Sequence, residues 1–73
     1  MPFDFSKLRG RIIEKFGTCE RFAEAVGRSK NWISTRLNNV VPWGADEIRD
    51  VCRSELLDIP ADEIPVYFFT PKF

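Results

Sequence analysis

Between Phe16 and Ala45 the chain is interrupted three times at short intervals, and these breaks decide what it can fold into. Gly17-Thr18 comes first, Gly27-Arg28-Ser29 second, and the run "NNVVPWG" third. Glycine enters the left-handed conformation that closes a helix, and Thr or Ser hydroxyls accept the free N–H groups that open the next. What remains between the breaks is "CERFAEAV" and a helix from Lys30 to about Asn38, each roughly two turns long. Helices this short are marginal alone and hold only by packing on their neighbours. The chain is therefore read as a packet of short helices.

Five helical segments can be drawn, and no stretch alternates long enough to make a strand. The first runs from about Phe5 to Phe16, with Asp4 or Ser6 available as N-cap and Leu8, Ile12 and Phe16 as its buried stripe. Gly10 inside it costs about 1 kcal/mol relative to Ala, either to admit a close neighbour or as a tolerated weakness. Helix two carries Phe22, Ala23 and Val26 inward. Helix four starts near Ala45, with Asp46 and Glu47 in a first turn that favours acids, and its stripe is Ile48, Val51, Cys52 and Leu56. Asp58 is placed at its closing turn. Pro60 opens a fifth helix that Pro65 would kink, and the aromatic tail "YFFTPKF" is either a core plug or an association surface.

Composition removes several function classes. A chain of 73 residues makes one domain, residues 1–73, with one modest core. It has no His, so the commonest general base and metal ligand are missing, and no enzyme, cofactor, metal or small-molecule ligand is expected. Cys19 and Cys52 form no CxxC pattern and point to a reducing, cytoplasmic setting; Cys52 reads as a small core residue. No apolar run is long enough for a membrane span. The formal net charge of zero hides a split: eight bases against four acids give +4 up to Val40, and three against seven give −4 beyond it. A basic face is thus compatible with overall neutrality.

Helix three carries the functional signal. Ile33 and Leu37 lie one turn apart and anchor it inward. At ~100° per residue, Asn31, Thr35 and Asn38 then fall on the far side, with Trp32 and Ser34 on the flanks. The outward face thus consists of short hydrogen-bonding side chains, where a merely solvated helix would show long Glu and Lys. Ala23 lets helices two and three approach, and Gly27 permits the bend between them. This is helix-turn-helix logic, in which the second helix protrudes and fits the DNA major groove. Arg28, Lys30 and Arg36 supply the surrounding cations.

The stretch "TCERFAEAVGRSKNWISTRLNN" resembles the helix-turn-helix of small phage regulators of the Cro/CI repressor type. The segments "FDFSKLRGRIIEKFGT", "PWGADEI" and "YFFTPK" resemble a small family of Gram-positive phage proteins of that class, so the similarity covers essentially the whole chain. It implies an all-α, five-helix, lambda-repressor-like DNA-binding domain. The family's base-reading positions fall on Ser29, Lys30, Asn31 and Thr35, with Ser34 beside them; Asn31 matches an adenine edge and Lys30 guanine acceptors. Its backbone contacts fall on Thr18, Cys19, Arg28, Trp32, Arg36 and Asn38. The family commonly has Gln where Cys19 stands, so the clamp that an amide would supply is weakened or left to backbone N–H groups, with Arg21 able to compensate. Trp32 has an equal alternative, covering the edge of a neighbouring helix. A redox role for Cys19 is the minor alternative at that position.

The expected function is a Cro-like repressor that binds a palindromic operator in double-stranded DNA as a homodimer, with half-sites about one helical turn (~34 Å) apart. Val40, Val41 and Trp43 are either core edge or dimer contacts. Competing readings use the same fold as an antitoxin or protein-interaction module, or as a phage excision or replication accessory factor.

Overall fold

The computed structural model describes residues 2–72; Met1 and Phe73, the latter part of the aromatic tail, lie outside the described residues. Five α-helices follow one another: α1 Ser6–Phe16, α2 Cys19–Val26, α3 Lys30–Leu37, α4 Ala45–Val51 and α5 Ile64–Phe68, the last continuing a 3₁₀ turn at Ala61–Glu63. Among the described residues the extended pairing is a single antiparallel bridge between Phe3 and Pro71. The fold is all-α. α2 packs on both α1 and α3, and α1 also holds α5.

Leu8, Ile12, Phe22, Ile33, Val51, Leu57 and Phe68 are fully buried and form the centre of the core. Each such side chain contributes about 1.5–3 kcal/mol by leaving water. α1 begins where Asp4 accepts hydrogen bonds from the Ser6 amide at 2.9 Å and the Ser6 hydroxyl at 2.6 Å. Both Ser6 donors hold the Asp4 carboxyl below its usual range. The cap position itself is Phe5, whose side chain is buried in the core. Gly10 has open space where a Cβ would sit, so it admits no close neighbour and is a tolerated weakness of α1.

The end of α4 differs from the reading of the sequence. The helix stops at Val51, and the chain turns back on itself: Leu57 N donates to Val51 O at 3.0 Å and Asp58 N to Arg53 O at 2.9 Å. Arg11 on α1 stabilises this turn by donating to the Leu57 and Asp58 carbonyls, each at 2.8 Å. As a result Leu57, not Leu56, fills the core, and Leu56 is half-exposed. Asp58 does adopt the left-handed conformation expected of it, at φ 52°.

Pro65 falls in the first turn of α5, where no intrahelical donor is needed, so it starts the helix without kinking it. The tail is chiefly a core plug: Tyr67 and Phe68 are buried, while Phe69 stays 46% exposed against Phe3. The two ends of the chain pair, with Asp4 N donating to Thr70 O at 2.8 Å and Lys72 N to Pro2 O at 3.2 Å.

Candidate nucleic-acid interface

The interface is set by how α2 hands over to α3. Gly27 takes φ 84°, ψ 28°, which only glycine adopts at no steric cost. Arg28 N then donates to Ala23 O at 2.8 Å and Gly27 N to Glu24 O at 3.0 Å, the paired closure of a Schellman turn. Thr18 caps α2 by accepting from Arg21 N at 3.1 Å, and Ser29 caps α3 by accepting from Trp32 N at 3.2 Å. Ala23, fully buried, allows the two helices to meet. The start of α3 is thereby fixed with its first side chains facing out.

Of the expected base-reading residues, Ser29, Lys30, Asn31 and Ser34 are exposed. Lys30 lies 4.0 Å from Glu20, an exposed pair too loose to hold it. Asn38 is exposed on the same face, its amide 3.3 Å from the Ser34 hydroxyl. Thr35 differs from this group: it is half-buried, and its hydroxyl donates to Trp32 O at 2.9 Å and accepts from Arg36 at 3.2 Å. The open face is therefore Lys30, Asn31, Ser34 and Asn38. Thr18 is exposed at the N-terminus of α2, whereas Cys19 beside it is half-buried against the core.

Three residues assigned to the DNA backbone by resemblance separate in the structure. Trp32 is buried at 8% exposure, and its indole N–H donates to Glu47 at 3.1 Å. Its ring is packed, with Trp43 edge-on to it at 5.5 Å and Phe68 edge-on to Trp43 at 5.1 Å. Arg36 is half-buried and bound by Glu47, with 2.9 Å from its terminal nitrogen to one carboxylate oxygen and 3.4 Å from Nε to the other. Arg28 is exposed and has no ion-pair partner within 4 Å among the described residues. Both guanidinium groups lie near the Trp32 ring, at 5.3 Å for Arg28 and 5.0 Å for Arg36.

Glu47 does more than its place in the first turn of a helix implies. It sits in the first turn of α4 as expected, and it reaches back to accept from Gly44 N at 2.9 Å while also holding Trp32 and Arg36. Burial works against its charged form, yet the Arg36, Gly44 and Trp32 donors outweigh that and hold the carboxyl at about 2. The signal in the sequence was its spacing, three residues after a glycine N-cap, which marks a side chain able to reach the N-cap amide.

Asn39 is the second missed residue. It adopts φ 61°, and its side-chain amide pairs with both backbone groups of Phe3, at 3.0 Å and 2.9 Å. Val40 projects from this corner at 70% exposure. Val41 and Trp43 instead line a groove of about 510 Å³ with Phe3, Phe5 and Phe69. Cys52 is half-buried on the core, and burial pushes its thiol up to about 11, away from the thiolate form.

Among the described residues no helix is long and apolar enough to cross a membrane, and no group of three His, Cys, Asp or Glu side chains is placed to hold a metal ion. No curated protein matches the chain. It is similar to the modulator of repression of the temperate bacteriophage TP901-1 from Lactococcus lactis, known from its solution structure, with 42% identity and a TM-score of 0.81 over 94% of this chain and 90% of that one. The likeness is thus to a small phage regulatory protein. Residues 1–71 match the family described as "Protein of unknown function (DUF739)", and the chain belongs to that family.

Proposed function

We propose that the chain is a phage-type regulator of repression that binds duplex DNA through the α2–turn–α3 unit. α3 enters the major groove with Asn31 and Lys30 toward base edges, Ser34 and Asn38 along the same face, and Arg28 and the N-terminus of α2 on phosphates. The observation that carries this reading is the exposed row Lys30, Asn31, Ser34 and Asn38 on a helix whose other side is locked by Trp32, Ile33 and Leu37. The likeness to a modulator of repression supports the regulatory setting. A homodimer on a palindromic operator follows from the same family logic, with Val40 as its most exposed apolar residue.

The test is selection of bound duplexes from a random pool, followed by a salt series on the winning sequence. Enrichment of one sequence, with a log–log slope near −3.6 for ~4 phosphate contacts, is the expected result. Asn31→Ala should relax base preference, and Arg28→Ala should weaken all sequences alike. Identical behaviour of the two variants would remove the assignment of roles. A second reading, in which repression is modulated through a protein surface, draws on the likeness to a modulator of repression and on exposed Val40; it predicts no enriched duplex and a flat salt response.

A further inference from the structure

Resting on the DNA-binding reading, we infer that Glu47 is a positioning residue that withholds Arg36 from the phosphate backbone and so limits the affinity of the interface. Two guanidinium groups flank one indole, Arg28 from the turn before α3 and Arg36 from α3 itself, each about 5 Å from the Trp32 ring centre. They are equivalent in type and unequal in state. Arg28 is exposed and uncompensated, whereas the Arg36 side chain is 16% exposed and held at 2.9 Å by a carboxylate that is itself 18% exposed. Two contacts to the carboxylate, plus one to Thr35, fix the orientation of Arg36.

Glu47 cannot easily let go, because the same carboxylate accepts from the Trp32 indole and from Gly44 N. It comes from α4, so the pair also pins α3 against the next helix. A cation already paired with a protein carboxylate releases no counterion when a phosphate approaches, so it adds nothing to salt-dependent affinity. Of the bases on the α2–α3 side, Arg21, Arg28 and Lys30 then do the electrostatic work. Arg36 is a reserve that one substitution would free.

The test compares Glu47→Gln, the double variant Glu47→Gln/Arg36→Met, and Asp50→Asn, each titrated with a single duplex across a salt series. Asp50 lies on exposed α4 surface and its neutralisation raises net charge by the same amount without touching Arg36. Glu47→Gln should steepen the log–log slope by about 0.9 per bound protomer and raise affinity about tenfold per protomer at ~0.1 M salt. The double variant should return to the wild-type slope, and Asp50→Asn should stay near it. An unchanged slope in Glu47→Gln, a gain matched by Asp50→Asn, or a gain that survives Arg36→Met overturns the inference.

If the wild type binds no duplex while Glu47→Gln does so through Arg36, the inference stands and the regulator reading falls. If neither binds, both fall. Should Glu47→Gln fail to fold, the wild type supplies the answer by NMR. The Arg36 Nε–H resonance should remain in place when duplex is added while that of Arg28 moves, and a shift of Arg36 overturns the inference.

Discussion

α2 and α3 end in the same backbone device, and they use it differently. At Gly27 the left-handed residue is a glycine, closing α2 with bonds of 2.8 and 3.0 Å and carrying no side chain that could hold another segment. At Asn39 the left-handed residue closes α3 through Val40 N to Thr35 O at 2.9 Å, and its side chain also clasps the backbone of Phe3. The first turn only redirects the chain. The second redirects it and ties the far end of α3 to the N-terminal segment. Position along the helix explains the difference: the start of α3 is presented outward, while its end must be fastened to something.

The comparison can be broken most severely at Asn39. Asn39→Ala should cost about 3 kcal/mol in denaturant unfolding, from two lost hydrogen bonds and the strain of a left-handed Ala. Asn39→Gly keeps the turn and removes only the clasp, so about 2 kcal/mol is expected; equal losses in the two variants would mean that strain contributes nothing.

A third attachment, at Glu47, is tested by acid. Its carboxyl titrates at about 2 in the folded chain against an ordinary 4.5. A depressed folded value means that the stability is complete above pH 4.5 and is lost as the pH falls through about 2. Stability profiles of the wild type and Glu47→Gln should differ by roughly 2 kcal/mol across that window, after discounting for partial exposure.

The plain turn is next in size. Gly27→Ala should cost about 1–2 kcal/mol through backbone strain alone, since open space surrounds its Cβ position. The smallest effect has the opposite sign. Gly10 is helical and unconstrained, so Gly10→Ala should raise stability by up to about 1 kcal/mol in the same unfolding measurement.

What was legible in the sequence follows the same division. The starts of α2, α3 and α4 and the Ala23–Gly27 turn are local chemistry, readable from cap residues and spacing, and they appear where expected, whereas α1 is capped at Phe5 instead of Asp4 or Ser6 and the segment opened by Pro60 becomes α-helical only from Ile64. The inward Ile33 and Leu37 were likewise set by period. Trp32 and Arg36 were not, because their partners Glu47 and Trp43 come from beyond the next turn, and helical phase alone leaves a flank position undecided. The overlong α4 has a similar cause: the turn that stops it depends on Arg11, more than forty residues earlier. Asn39 looked like one polar residue of a loop until Phe3 was brought beside it.

The pairing of Pro2 with Lys72 has a topological consequence. Because residues 2 and 72 already meet, a short peptide bridging them would close this stretch into a ring without bending any helix. Such a ring restricts the unfolded chain far more than the folded one, a gain on the order of 4 kcal/mol in the chain-entropy view of a cross-link. New ends could then be opened at the exposed Ser54–Glu55 turn, leaving α2 and α3 deep inside the rearranged sequence. The order in which the helices are written is thus separable from the way they pack.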